Sequence, residues 1–176
     1  MKQLIIFIVF LSFTFVGCKE SVQKPTKPLD ENELKEPLMN ANQEAVRFED
    51  EDIDLYIKRQ QMDAIRTETG LRYQITKQGK GPFLKNKDIA TISFKTFSIN
   101  GELLYSSDES GEKVMEIDKN NEIQALDEML KLLKVGAEAH LVIPSHLAYG
   151  VAGDGDKIRQ RIPIVMKIKV LNVKHK

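Results

Sequence analysis

The sequence predicts an α+β domain that combines an antiparallel sheet of about six strands with one short helix. Two observations support this class. Apolar and polar residues alternate in several short segments, which is the period of a half-buried strand, and one segment between them has helical spacing. The predicted strands also follow one another mainly without the helical crossovers that a parallel sheet requires.

The strands are predicted from these alternations, in order along the chain. They cover residues 71–76, 90–94, 103–105, 114–117, 139–143 and 164–170. The dipeptide Asn100-Gly101 separates the second of these segments from the third, and it is the strongest short-range signal for a hairpin.

The helix of this region is predicted between Asn120-Asn121, which can cap its start, and Gly136, which ends it. Its apolar face consists of Ile123, Leu126, Leu130 and Leu133. This spacing places the four side chains on one side of the helix, where they can pack against the sheet.

A second helix is predicted before the domain, over about residues 43–64 of an extension that ends at residue 66. Ile53, Tyr56 and Ile57 have the i, i+3, i+4 spacing of an apolar stripe. We expect this helix to pack on the following domain, and a dimerisation helix is the alternative.

Residues 18–42 are predicted to form a disordered tether. This stretch contains three prolines and many charges but few large apolar residues, so it cannot bury enough surface to fold. Residues 27–54 contain ten acidic residues against Lys27, Lys35 and Arg47. A solvated linker that repels itself and the lipid surface explains this excess, and an acidic docking site for a partner is the alternative.

The first 17 residues have the features of a secretory leader. Lys2 precedes an apolar run, from Leu4 to Val16, which is too short for a membrane span of about 20 residues but has the length of a signal-peptide core. Gly17 and Cys18 follow, and this arrangement resembles the lipobox of bacterial lipoproteins, although Phe15 departs from the usual leucine.

The lipobox resemblance implies that the leader 1–17 is removed and that Cys18 is acylated. Several acyl chains on one residue would anchor the protein stably in a membrane. Lys19, which follows the cysteine, favours the outer membrane by the enteric sorting pattern. We therefore expect a lipid-anchored protein of the cell envelope, at the outer membrane and facing the periplasm.

The composition excludes several classes of site. The 26 basic and 26 acidic residues give zero net charge, and the basic residues are scattered, which argues against a nucleic-acid partner. The single cysteine excludes an intrachain disulfide, and three dispersed histidines exclude a Cys/His zinc site. We expect no metal and no cofactor.

The residues show little conventional catalytic chemistry. His140, His146 and His175 lack a plausible serine or cysteine partner. Asp154-Gly155-Asp156 lacks the ligand spacing of a calcium loop and is predicted to be a solvated turn. Any enzyme here must work without a metal, a cofactor or a covalent nucleophile.

Several motifs appear in the order found in one enzyme family. They are Thr69-Gly70-Leu71-Arg72-Tyr73, the hairpin Asn100 to Ser107, Val135-Gly136, Val142-Ile143-Pro144 and Ala148-Tyr149-Gly150. Together they resemble FKBP-type peptidyl-prolyl cis-trans isomerases over residues 67–176. The segment Gly153 to Ile158, followed by Pro163-Ile164, resembles lipoprotein FKBPs of the Bacteroidota, including gliding-motility-associated members.

The family resemblance implies a twisted antiparallel sheet wrapped around one short helix. It also implies rotation about X–Pro bonds in proline-containing polypeptides, including exported proteins whose folding the enzyme would assist. The planar amide imposes a barrier of about 18–20 kcal/mol. Amide resonance is lost in the twisted transition state, which is less polar, so a dry apolar pocket lowers the barrier without proton transfer.

The resemblance assigns the pocket to eight positions. The three catalytic positions are Tyr149, Ile123 and Phe94, and the five substrate-binding positions are Leu104, Tyr105, Leu126, Ile158 and Met166. In the family, the hydroxyl of a tyrosine at position 149 donates to the substrate, and the backbone N–H at position 123 binds its carbonyl. Phe94 stands where the family has a pocket tyrosine.

The substrate-binding positions other than Tyr105 carry apolar residues, which would form the walls of the pocket. Leu104 and Met166 stand where the family has phenylalanines, Leu126 stands where eukaryotic members have a tryptophan, and Ile158 matches an apolar residue of the long loop. The apolar patterns of Phe94, Leu126, Ile158 and Met166 also fit plain core packing.

Tyr105 is the departure that matters most, because catalytic members usually have an aspartate at this position. The Tyr105 side chain is expected either at the rim of the pocket or packed within the hairpin, and the sequence does not choose between these two positions. The departure favours a rival hypothesis, a non-catalytic FKBP-like chaperone or interaction module of an envelope or gliding-motility complex. A purely structural lipoprotein, with a motility or secretion complex as its partner, is a third possibility.

Overall fold

The computed structural model describes residues 31–119 and 123–175. The chain divides into two compact units, Met1–Asn40 and Ala41–Lys176, and the features below belong to the second unit unless stated otherwise. The leader, Cys18, most of the predicted tether and the predicted cap Asn120-Asn121 lie outside the described residues. Within the described ranges, no helix has both the length and the apolar character that crossing a bilayer requires.

Helix α1 spans Glu31–Arg59, so it begins within the stretch predicted as tether and ends before residue 64. The residues added at its start are mainly good helix formers, which accounts for the earlier beginning. Pro37 lies inside the helix, where its missing N–H removes one backbone hydrogen bond. At the other end, Gln61 has a positive φ of 51°, which stops helical propagation soon after Arg59.

Helix α1 packs on the sheet through the predicted apolar stripe. Ile53 is fully buried in a small cluster with Val142 and Val165, and Tyr56 and Ile57 are partly buried against them. The i, i+3, i+4 spacing therefore produces the contact with the domain that the sequence predicts.

The seven strands described form one antiparallel sheet. They are β1 (Ile65–Arg66), β2 (Arg72–Lys77), β3 (Ile89–Ser98), β4 (Leu103–Ser106), β5 (Lys113–Glu116), β6 (Glu138–Ile143) and β7 (Ile164–Lys174). Their order is β1-β2-β6-β7-β3-β4, and β5 also pairs with β3. The predicted α+β class is confirmed, and β1, a two-residue strand too short to show a period, is the addition.

The β3–β4 hairpin turns at the predicted dipeptide. The N–H of Gly101 donates to the carbonyl of Ser98 at 2.9 Å, and the N–H of Ser98 donates to the carbonyl of Glu102 at 2.8 Å. Gly101 has a φ of +91°, a conformation that glycine adopts without a steric penalty.

Among residues 41–119 and 123–175 the fold also has three short helices: α2 (Ser107–Ser110), α3 (Gln124–Leu130) and a 3₁₀ helix (Ser145–Leu147). The predicted apolar face of α3 is buried in the main core. The helix ends at Leu130, well before Gly136, because the N–H groups of Leu132 and Leu133 donate to carbonyls three residues back. These tighter bonds end the α-helical ladder, and Gly136 lies in the turn that follows.

Candidate functional site

A cavity of about 580 Å³ opens beside Tyr149. Strands β3, β4, β5 and β7, the start of α3 and the loop after the 3₁₀ helix all contribute to its walls. The lining residues are Phe94, Thr96, Tyr105, Ser110, Lys113, Ile123, Ala148, Tyr149, Gly153, Asp154 and Met166. Aromatic and aliphatic side chains from distant parts of the chain therefore meet around one space.

Tyr149 is held by a tightly bonded segment. The 3₁₀ helix ends just before it, and the N–H of Gly150 donates to the carbonyl of Ser145 at 2.8 Å. The N–H of Gly153 donates to the carbonyl of Tyr149 at 3.1 Å, and the N–H of Arg161 donates to that of Gly150 at 2.8 Å. Both sides of Tyr149 are thereby fixed, and the ring is partly buried at the cavity wall.

Helix α1 supports this segment from outside the cavity. The hydroxyl of Ser145 donates to the Glu49 carboxylate at 2.7 Å, and the Ser145 N–H donates to the other oxygen of the same carboxylate. Arg161 donates to the side-chain oxygen of Asn42 at 2.7 Å. Glu49 thus caps the 3₁₀ helix that leads to Tyr149, and Asn42 holds the far end of the following loop.

Tyr105 links β4 to the same loop. Its hydroxyl donates to the Asp154 carboxylate, and Asp156 lies within 3.3 Å of the same hydroxyl. Burial, the hydrogen bond to Asp154 and the nearby negative charge together raise the pKa of Tyr105 to about 12. The phenol therefore remains a neutral donor at every physiological pH.

Asp154 organises the loop that it begins. Its Oδ1 accepts the N–H of Asp156 at 2.9 Å and the N–H of Ile158 at 2.8 Å, while Oδ2 accepts from Tyr105. Burial opposes ionisation of this carboxyl, but these hydrogen bonds outweigh it and hold its pKa below the usual range. Asp154 is therefore an ionised carboxylate whose oxygens are already occupied by internal donors.

A family model described as FKBP-type peptidyl-prolyl cis-trans isomerase matches residues 81–171. The chain belongs to the FKBP-type peptidyl-prolyl cis-trans isomerase family. The matched range contains every cavity residue named above, so the cavity lies within the FKBP domain itself.

Curated and solved proteins agree with this membership. The chain is 37% identical over 107 residues to the probable FKBP-type peptidyl-prolyl cis-trans isomerase FkpA of Neisseria meningitidis, a match that covers 61% of this chain and 39% of that protein. The crystal structure of FkpA from Escherichia coli has a TM-score of 0.64 and 26% identity, covering 99% of this chain and 82% of that one. The chain spans less than half the length of the first curated relatives it matches.

A second solved structure supports the fold. The peptidyl-prolyl cis-trans isomerase from Pseudomonas syringae has a TM-score of 0.64 at 22% identity, covering 76% of this chain and 96% of that chain.

The FKBP cavity brings together five of the predicted pocket residues: Phe94, Tyr105, Ile123, Tyr149 and Met166. Alternation along β3 and β7 directs Phe94 and Met166 to it, and Ile123 reaches it from the N-cap position of α3. Tyr105, which the sequence left between a pocket rim and hairpin packing, lines the cavity.

Three other predicted pocket residues do not line the cavity, although they belong to the same core cluster as Ile123 and Met166. Leu104, Leu126 and Ile158 are 7%, 0% and 2% exposed and do not line the cavity. Leu104 points away from Tyr105 because successive residues of a strand face opposite sides. Leu126 lies on the buried side of α3. Apolar residues in the wall of a pocket and in the layer behind it have the same sequence pattern, so a motif cannot separate them.

Sequence reasoning missed the role of Asp154, which was predicted to be part of a solvated turn. Its Asx-type bonds to the following N–H groups are typical of an aspartate in a turn, but its bond to Tyr105 joins residues far apart in the chain. Lys113 was also missed, because it falls just outside the predicted strand 114–117.

The three histidines lie outside the cavity wall. His140, His146 and His175 do not line it, and each lies beside a different partner or element. In the described part of the chain, no three or more histidine, cysteine, aspartate or glutamate side chains are grouped so as to hold a metal ion. The chemistry available at this site is therefore that of a shaped pocket with mixed apolar and polar walls, which include the phenols of Tyr105 and Tyr149.

Proposed function

We propose that this protein is a membrane-anchored peptidyl-prolyl cis-trans isomerase that assists the folding of exported envelope proteins. The observation that carries the proposal is the open cavity beside Tyr149, lined by Phe94, Ile123 and Met166. Its volume falls within the range of about 300–1,000 Å³ that is typical of small-ligand sites. A proline ring and its neighbouring backbone fit such a space.

The walls supply the catalytic environment. An X–Pro amide loses resonance as it twists, so its twisted form is less polar than the planar form that water solvates well. The part of the wall formed by Phe94, Ile123 and Met166 is apolar, so it removes that solvation from the bound amide and favours the twisted form. Neither a nucleophile nor a titrating histidine is needed, which agrees with the residues that line the cavity.

The polar groups orient the substrate in this proposal. The hydroxyl of Tyr149 donates to a substrate carbonyl, and the backbone N–H of Ile123, at the start of α3, donates to a second substrate carbonyl. Phe94 and Met166 pack against the proline ring. Leu104, Leu126 and Ile158 act from behind the wall by fixing its shape, since all three are buried in the core.

The proposed location depends on the N-terminal region. Cys18 carries the lipid anchor, and the predicted tether joins this anchor to the rest of the chain. Lys19 favours the outer membrane, with the domain facing the periplasm. The segment 153–158 resembles lipoprotein FKBPs of the Bacteroidota. This resemblance supports a gliding-motility-associated type, with a motility or secretion complex as a further partner.

The test measures cis–trans exchange of a Leu-Pro peptide by NMR, with the purified full chain in mild detergent. We expect exchange faster than in detergent alone. Tyr149→Phe removes one hydrogen bond, worth about 0.5–1.5 kcal/mol, and should lower kcat/KM about two- to tenfold. Tyr73→Phe is the matched control, because Tyr73 packs against the core but does not line the cavity. If the chain is well folded and the exchange rate does not change, the proposed isomerase activity is refuted.

A non-catalytic FKBP-like chaperone or interaction module is the second candidate function. The observation that favours it is Tyr105, which stands at the position where catalytic members of the family usually have an aspartate. Its hydroxyl already donates to Asp154. This candidate predicts suppression of client aggregation that Tyr149→Phe does not alter, together with no acceleration of prolyl exchange.

A further inference from the structure

Two charged side chains of the described residues line the cavity, Lys113 and Asp154. They are not equivalent as recognition groups. The Asp154 carboxylate accepts the Tyr105 hydroxyl and the N–H groups of Asp156 and Ile158, so internal donors occupy both of its oxygens. A substrate that approached Asp154 would have to displace bonds that hold the loop together. Asp154 is therefore part of the scaffold of the cavity.

Lys113 is in the opposite situation. Its ammonium forms no hydrogen bond and no ion pair with any residue in the described ranges. Other lysines of the same region are engaged: Lys95 pairs with Asp108 at 2.8 Å, and Lys157 donates to the carbonyl of Leu104 at 2.7 Å. Lys113 thus supplies the one uncompensated charge among the cavity residues described.

The strand pattern explains why this lysine faces the cavity. Lys113 begins β5, and side chains two residues apart in a strand share a face. Met115, two residues later, is buried in the core, whereas Val114 between them is 64% exposed. Lys113 therefore lies on the inward face of β5 and is only partly exposed.

From this placement we infer that Lys113 selects substrates with an acidic residue immediately before the proline. The inference rests on the proposed isomerase function. The residue before proline carries the carbonyl of the rotating bond, so its side chain enters the cavity together with the ring. A carboxylate there meets the free ammonium of Lys113, and partial removal of water strengthens the attraction relative to an exposed pair.

The test compares peptides that differ only in the residue before proline, with Glu, Gln, Leu or Lys at that position. Exchange catalysed by the full chain is measured by NMR and divided by the uncatalysed rate of the same peptide. Gln is the uncharged match for Glu in shape. We expect kcat/KM for the Glu-Pro peptide to exceed that for Gln-Pro about three- to tenfold and to fall towards it at 1 M salt, where the screening length is about 3 Å.

Three variants assign the preference to Lys113. Lys113→Met keeps the length of the side chain and should bring the Glu/Gln ratio to one, and Lys113→Gln repeats the test with a polar replacement. Lys113→Glu should reverse the preference towards the Lys-Pro peptide. Lys119→Met is the control, because Lys119 is an exposed lysine that pairs with Glu116 and does not line the cavity.

The outcomes separate this inference from the function beneath it. Equal rates for Glu-Pro and Gln-Pro, with clear acceleration of Leu-Pro, would overturn the role of Lys113 and leave the isomerase function standing. A Glu preference that survives in both neutral variants would overturn the role of Lys113 as well. If exchange is not accelerated for any of the peptides, both the proposed isomerase function and this inference are refuted.

Discussion

Replacing Glu49 by alanine tests whether α1 is part of the scaffold that holds Tyr149. The Glu49 carboxylate accepts two hydrogen bonds from Ser145, one from the hydroxyl at 2.7 Å and one from the backbone N–H. Ser145 is buried, so its donors are poorly placed to find water once the carboxylate is gone. Glu49→Ala therefore removes the cap of the 3₁₀ helix and a link between α1 and the domain.

The size of the effect follows from the type of bond. Hydrogen bonds to charged groups contribute about 1.5–3 kcal/mol each. Glu49 is only partly buried, and water at its open side replaces some of that energy. We therefore expect Glu49→Ala to lower the free energy of unfolding by about 2–3 kcal/mol. We also expect kcat/KM for a prolyl peptide to fall about tenfold, since small shifts of positioned groups are costly in catalysis.

Urea unfolding followed by far-ultraviolet circular dichroism measures the stability change. Tryptophan fluorescence is not available as a probe because the chain has no tryptophan. A lower midpoint with an unchanged slope would show a loss of stability without a change in the surface exposed on unfolding. Glu49→Gln keeps one acceptor and one polar partner for the hydroxyl, so it should recover part of both losses.

The matched control is Glu51→Ala. Glu51 lies one turn after Arg47 on α1 and pairs with it at 3.4 Å, and both side chains are exposed. Loss of such a pair costs about 0.3–0.5 kcal/mol. If Glu49→Ala and Glu51→Ala behave alike in stability and in activity, the proposed coupling between α1 and the Tyr149 segment is refuted.

Three further predictions concern the charged groups and the pocket. Arg72 is buried and donates to Asp50 at 2.6 Å, so Arg72→Met should cost about 2–4 kcal/mol in urea unfolding. Burial raises the pKa of the Asp50 carboxyl, but the Arg72 guanidinium outweighs it and lowers the pKa overall. The folded state therefore gains stability above the ordinary carboxyl pKa of about 3.9 and loses it as the pH falls through the lower folded pKa. A difference in unfolding free energy between wild type and variant that stays constant in acid would contradict this. Tyr105→Phe should abolish the phenol that titrates near pH 12 at 295 nm and raise the pKa of Asp154, measured by NMR. The raised pKa of Tyr105 stabilises the fold below pH 10 and ceases to do so as the pH rises towards 12, so an alkaline unfolding profile unchanged in the variant would count against the link. Macrolide binding should be weaker than micromolar by titration, because Tyr105 and Leu126 stand where the family has an aspartate and a tryptophan; submicromolar binding would refute that.

Local sequence features predicted most of the secondary structure because their causes are local. Alternation placed the long strands, Asn100-Gly101 placed the hairpin, and the spacing of Ile53 to Ile57 placed the packed face of α1. The early start of α1 at Glu31 was hidden by Pro37, whose cost the surrounding helix formers offset. Strand β1 was missed because two residues carry no period.

The pocket shows the limit of this reasoning. Phe94, Ile123, Tyr149 and Met166 could be named in advance, because a family motif carries their positions. Which apolar neighbours lie in the wall and which lie behind it depends on how strands and helix pack, and Leu126 fell behind it.

The sequence by itself determined the α+β class, the antiparallel connections and the family, because short-range periodicity and ordered motifs are written along the chain. Only the tertiary structure decided that Tyr105 donates to Asp154, that Glu49 caps the segment before Tyr149 and that Lys113 faces the cavity with no partner in the described part of the chain. Tyr105 and Asp154, like Glu49 and Ser145, are joined by hydrogen bonds between residues about 50 or more positions apart. Such contacts require both groups to converge in space, and no local pattern records that convergence.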